Sequence, residues 1–146
     1  MSDLRQLYQE LIIDHGRAPR NFGKLTDATF HQEGFNPLCG DRIDLYIKEK
    51  NGVLSDICFE GSGCAISMAS ASLLTESLKN KTIDEAKIIY TAFHRLLTEK
   101  MTSDQLGKLT ALAGVADYPS RIKCATLAWH TLKAALNQEM TIVTTE

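Results

Sequence analysis

An α+β fold is predicted for this 146-residue chain, with a small, mainly antiparallel three-stranded sheet and helices packed over one of its faces. Two observations carry that expectation. Strand-like alternation is confined to the first half of the chain and helical periodicity follows it, without the βαβ repetition that builds a parallel sheet. In addition, Asn51-Gly52 stands between two alternating runs, and this dipeptide accepts the positive φ angles of a two-residue hairpin turn. With 44% apolar residues there is enough for one sizeable core, so a single domain over residues 1–146 is expected.

The elements follow in order. Leu4, Leu7, Tyr8, Leu11 and Ile12 recur at helical spacing, and Ser2 or Asp3 is available as a cap. The run 14–25, DHGRAPRNFGKL, carries Gly, Pro and Asn at close intervals and reads as a long surface loop. A weak extended stretch, 28–35, precedes the segment 42–49, where Ile43, Leu45 and Ile47 alternate with Asp44, Tyr46 and Lys48 as in a half-buried strand. Beyond the Asn51-Gly52 turn, Val53, Ile57 and Phe59 continue the partner strand. A helix starts near Cys64, in the breaker-free run AISMASASLLTESL. Thr82 and Glu85 have the spacing of a capping box, and Ile83, Ala86, Ile89, Tyr90, Phe93, Leu96 and Leu97 then form one face. Ser103 is placed to cap a shorter helix ending near Gly114. After Pro119-Ser120 comes the last long helix, with a core stripe of Ile122, Ala125, Ala128, Trp129, Leu132 and Leu136, and fraying is expected past Asn137.

Charge narrows the function. Sixteen basic against 18 acidic side chains leave no surplus to condense on nucleic acid or an anionic membrane, so neither is an expected partner. Apolar runs are broken by Asp, Lys or Glu before the roughly 20 residues that span a bilayer. The amphipathic start, MSDLRQLYQELIIDH, does not read as a signal segment. A cytoplasmic location is expected. In that reducing setting the four cysteines, Cys39, Cys58, Cys64 and Cys124, point to metal binding or thiol chemistry before disulfides.

Three of them occupy chemically suggestive places. Cys39 and Asp41 flank Gly40 at the entry to a strand, where residues i and i+2 project to one side and can face one ion. Cys64 follows Gly61-Ser62-Gly63 at a helix start, and Cys124 lies in the first turns of the last helix. At both, the helix dipole is expected to favour the thiolate and lower its pKa. Cys58 alternates away from Ile57 and Phe59 and is expected to sit apart. Three thiolates and a carboxylate make the four ligands that zinc takes in a tetrahedral site. Their spacing is not that of a compact zinc finger, and taken alone it leaves a shared metal site and buried, idle cysteines equally open. The Gly-rich turn before Cys64 lacks the Lys-Ser/Thr ending of a phosphate-binding loop.

Four blocks together resemble one family: YQELIIDHGRAPRNFGKL, NPLCGDRIDLYIK, FEGSGCAISMASASLLTE and PSRIKCATLAWHTL. They are similar to the IscU/NifU N-terminal family of iron-sulfur cluster assembly proteins, and within it to the zinc-binding SufU branch that works beside SufS-type cysteine desulfurases. The resemblance runs over nearly the whole chain and implies a SufE/NifU-like fold. It further implies that Cys39, Asp41, Cys64 and Cys124 ligate the metal and that Cys39 is the sulfur-accepting, catalytic thiol. Lys123 stands where the IscU scaffold branch has a His before its last cysteine, and YPSRI (118–122) replaces that branch's chaperone-read Leu-Pro-Pro-Val-Lys element. The segment between Cys64 and Cys124 is also longer than in IscU, and all three departures favour SufU.

The function so implied is zinc-dependent, sulfurtransferase-like acceptance of persulfide sulfur, with stimulation of the desulfurase and a histidine of that partner replacing Cys39 on the metal. Apo iron-sulfur proteins or a downstream Suf scaffold would receive the product. The alternative is a scaffold that assembles a transient [2Fe-2S] or [4Fe-4S] cluster on the same ligands and passes it to apo-proteins, and a weaker one is an adaptor with a purely structural zinc. Arg121 can steer the partner or stabilise a sulfur anion, or be a solvated helix-start residue. His15, His31, His94 and His130 are expected at surface or capping positions rather than on the metal, although His31 can approach the site from the first strand. The PRNFG loop (19–23) is either a docking surface or a plain connection.

Overall fold

The computed structural model describes residues 2–138 and 143–144. Helix α1 (Ser2–Arg17) leads into strands β1 (Phe30–Asn36), β2 (Asp41–Lys50) and β3 (Val53–Ser62). Helices α2 (Ala65–Leu78) and α3 (Ile83–Glu99), a 3-10 helix (Gly107–Asp117), α4 (Pro119–Leu136) and the two-residue strand β4 (Val143–Thr144) complete the order. The predicted α+β class and its three antiparallel strands are present. The sheet, however, has four strands in the order β3-β2-β1-β4, because Val143–Thr144 pairs parallel with Gly34 and Phe35. Apart from Gln138 and that pair, the tail expected to fray lies outside the described residues.

The hairpin β2–β3 closes as its sequence predicts: Asn51 and Gly52 take φ of 55° and 80°, and Lys50 faces Val53. Alternation then sends Ile43, Leu45, Ile47, Ile57 and Phe59 to one face, all at 0% exposure. That face meets α2 and α4. Helix α2 is buried along most of its length, which explains its small residues: Ser70 donates to the Ala125 carbonyl at 2.6 Å and accepts from Trp129 Nε1 at 3.1 Å, drawing α2 and α4 together. Trp129 stacks on Phe93 with ring centroids 4.7 Å apart, so the aromatic stripe is core, as expected. Both halves of the Thr82–Glu85 capping box form.

Two expectations need correction. The run 14–25 is not all loop, because α1 extends through Arg17 and buries His15 at 1% exposure. Burial outweighs the low helix propensity of glycine here. Gly16 lets α1 approach α2 so closely that an added Cβ would sit 3.2 Å from the Ala65 carbonyl oxygen. The loop after it extends the sheet edge, since Gly23 donates to Phe59 O and Phe59 to Asn21 O. The short helix assigned to Ser103 is instead a 3-10 helix that starts at Gly107, with φ of 53°, and runs past Gly114 to Asp117. Ser103 caps only a local turn, accepting from Gln105 N at 3.2 Å.

Candidate metal centre

The β1–β2 connection builds the first part of the site. Asn36 and Asp41 are the last paired residues of the two strands, and the intervening turn is closed by Gly40 N donating to Asn36 O at 2.8 Å, with Gly40 at φ 75°. This tight reversal, rather than the strand alternation expected from sequence, carries Cys39 back over Asp41. Cys39 is exposed at its tip, while Asp41 is 0% exposed.

The second part comes from α2. Cys64 is the N-cap: its sulfur accepts from Ser67 N at 3.4 Å, and its own backbone N–H donates to Asp41 Oδ1 at 2.9 Å. Gly63 is required before it, because an added Cβ would collide with Asp41 Oδ1. The third part is Cys124 in the second turn of α4, 0% exposed. Its Sγ lies 3.4 Å from Cys39 Sγ and 3.6 Å from Asn36 Nδ2, whose amide also donates to Asp41 Oδ2 at 3.2 Å.

Ligating atoms of Cys39, Asp41 and Cys124 all lie within 4.8 Å of one another. Cys64 stands outside that trio, although its field contributes to the electrostatics of Cys124. Of the four side chains named from sequence, three converge from β1–β2 and α4, and α2 joins them through the backbone N–H of Cys64 on Asp41 Oδ1. One electrostatic expectation is reversed: the Cys124 thiol is pushed up, not down, first by burial and then by hydrogen bonds with Asp41, Cys39 and Cys64. Loss of hydration there outweighs the helix dipole. Arg121 faces the cluster from the exposed side. Its proton is held more tightly by a hydrogen bond to Cys124 and by the field of Cys64 and Cys39.

The remaining candidates lie elsewhere. His31 sits on the outer face of the sheet, stacked on Tyr46 at 4.5 Å and 3.1 Å from Asp44. It is five strand positions before Asn36, about 16 Å at strand rise, so it does not approach the site. Cys58 pairs with Tyr46 across β2–β3 on that outer face, its thiol pushed up by burial and by Asp56. His15 is buried against Ser72 Oγ at 2.7 Å, and His130 bonds the Tyr90 hydroxyl at 2.9 Å. His94 stands beside His130, ring centroids 6.1 Å apart. In the PRNFG loop, Phe22 packs edge-on against Phe59 yet remains 51% exposed. Sequence reasoning missed Asn36 as part of the centre, because an Asn before Pro reads as a turn former.

Comparison with known proteins agrees with this architecture. The family model for the NifU-like N-terminal domain matches residues 7–125. Over 140 residues the chain is 42% identical to the zinc-dependent sulfurtransferase SufU of Bacillus subtilis (strain 168), covering 94% of this chain and 95% of that protein. Over 135 residues it is 41% identical to the iron-sulfur cluster assembly scaffold protein IscU of Thermotoga maritima, covering 92% and 95%. A crystal structure described as an iron-sulfur cluster assembly scaffold protein for the SUF system, from Fervidobacterium islandicum AW-1, superposes with a TM-score of 0.85 at 34% identity, covering 90% of this chain and 98% of that one. A NifU-like N-terminal structure from Brucella abortus, at 23% identity and a TM-score of 0.84 over 92% and 95% of the two chains, shares the fold.

Proposed function

Since the chain belongs to the NifU-like N-terminal domain family, we propose that it is a SufU-type, zinc-dependent sulfur acceptor that takes persulfide sulfur from a SufS-type cysteine desulfurase. The observation that carries this reading is the pairing of an exposed Cys39 sulfur with a buried Cys124 sulfur 3.4 Å away, beside a buried carboxylate. A tetrahedral zinc with bonds of about 2.3 Å separates its sulfur ligands by about 3.8 Å, so the Cys39–Cys124 pair at 3.4 Å and the neighbouring carboxylate suit the ion in kind and spacing. Cys39, Asp41, Cys64 and Cys124 are the ligands in this reading. Bound zinc holds its cysteines as thiolates at neutral pH and ties the three chain segments together.

The chain's own residues account for the rest. Cys39 is the one sulfur of the set placed on an exposed turn, where another protein's persulfide can reach it. Its thiolate attacks the terminal sulfur of that persulfide; the S–S bond breaks, the partner's cysteine leaves as thiolate, and Cys39 carries the persulfide. Arg121 provides a cation beside the new anion. Cys124, without solvent exposure, cannot serve as acceptor.

Downstream, apo iron-sulfur proteins or a Suf scaffold receive the sulfur. A cytoplasmic setting suits this chemistry, because a reducing compartment keeps the acceptor and ligand cysteines as thiols. The scaffold reading, with a transient cluster on the same ligands, draws on relatives named as scaffolds; Cys39's exposure favours transfer. The test is to purify the protein without added metal, measure its zinc, and incubate it with a cysteine desulfurase and cysteine. One zinc per chain and a sulfur adduct on the Cys39 peptide are expected. Full desulfurase stimulation by Cys39→Ala would overturn the acceptor role.

A further inference from the structure

We propose that Asn36 is a positioning residue that keeps Asp41 and Cys124 in place while Cys39 alone is free to depart with sulfur. This rests on the ligand set proposed above. Asn36 ends β1, directly across from Asp41, and is 0% exposed. Its side-chain amide has two hydrogens and meets two acceptors, Asp41 Oδ2 at 3.2 Å and Cys124 Sγ at 3.6 Å. A carboxylate only accepts, so the nitrogen rather than the oxygen of the amide must face Asp41.

The other end of the same amide is the informative part. Asn36 Oδ1 is buried without a hydrogen-bond partner. Burying an unsatisfied carbonyl is unfavourable, and an apolar side chain of the same size would avoid it. The NH2 group is what the position retains at that cost, and both of its hydrogens point at residues of the centre. Hydrogen bonds of this outer kind orient ligands and moderate the charge on a coordinating sulfur.

Asn36 also divides the set. Asp41 is held on both oxygens, by Asn36 and by the Cys64 backbone N–H, and Cys124 is held by Asn36 within a buried helix turn. Cys39 is not among the partners of the Asn36 amide; its Sγ lies 3.4 Å from Cys124 Sγ, on an exposed turn. The fixed members and the departing member are thus separated by which of them the amide grips.

The test uses the zinc-loaded full chain carrying Cys39→Ala, which mimics departure. Adding Asn36→Ala is expected to speed zinc transfer to a chelator about 10- to 100-fold. In the Co2+-substituted protein, the sulfur-to-metal charge-transfer band is expected to move to longer wavelength as the N–H···S bond is lost. Asn36→Ser, which retains a single donor, should fall between, and it serves if Asn36→Ala does not fold. Unchanged release and an unchanged band in either variant would overturn the proposal, since a merely structural amide leaves both alone. If Asp41→Ala and Cys124→Ala instead hold zinc as tightly as the parent, the ligand reading itself falls, and this proposal with it.

Discussion

The sulfur atoms of Cys39 and Cys124 stand 3.4 Å apart although 85 residues separate them in the chain. One is exposed and the other has no contact with solvent. The two thiols are therefore not interchangeable. Cys124→Ser should weaken zinc binding by more than the roughly 10- to 100-fold seen for outer-shell changes, because it removes a buried donor at the centre of the group. Cys39→Ser should retain zinc in slight excess of chelator yet carry no sulfur. Chelator competition and peptide mass analysis read the two effects; equal metal loss in both variants would contradict the asymmetry.

Gly63 has a tighter constraint than its loop position implies. A methyl group there meets the Asp41 carboxylate and the strand backbone beneath it, so Gly63→Ala should displace Asp41 and loosen the Cys64 N–H bond to Oδ1. Zinc retention is expected to drop about 10- to 100-fold with far-UV circular dichroism unchanged. Parent-like retention would show that the carboxylate can shift at no cost.

Burial lowers the pKa of His15 and of His130, in each case mainly through lost hydration. The unfolded chain takes up protons on these imidazoles near pH 6.5, while the folded chain resists until lower pH. Their contribution to stability is thus complete above about pH 6.5 and declines as pH falls toward the folded values. Denaturant titrations of the reduced, metal-free protein from neutral pH down to about pH 5 should show that decline, and His130→Asn should flatten it. A stability that rises on acidification in this window would be inconsistent with both burials.

The capping box at α3 allows a control far from the sulfur atoms. Thr82 accepts from Glu85 N at 3.1 Å, and Glu85 accepts from Thr82 N at 3.0 Å, which holds the Glu85 carboxyl below its ordinary range. Thr82→Ala should cost about 1 kcal/mol and lower the melting temperature by about 4 °C. Zinc release should not change. A change in zinc release would tie α3 to the centre, which nothing in their separation predicts.

Local pattern already specifies much of this molecule. The hairpin at Asn51-Gly52, the cap at Thr82, the inward set Ile43, Leu45 and Ile47 and the core role of Trp129 each follow from rules acting over a few neighbouring residues. The proposal that Cys39, Asp41, Cys64 and Cys124 form the centre also starts from the chain itself, through motif resemblance more than through spacing. Folding in three dimensions decided the remainder. Only packing shows that α1 runs on to bury His15, that Val143–Thr144 adds a fourth strand, and that His31 stands apart while Asn36 reaches in. It also decides that burial raises the Cys124 pKa where the helix start alone argues for lowering it. The reason is one of range: turn, cap and alternation preferences act between near neighbours, whereas hydration, dielectric and contact depend on segments brought together from opposite ends of the chain.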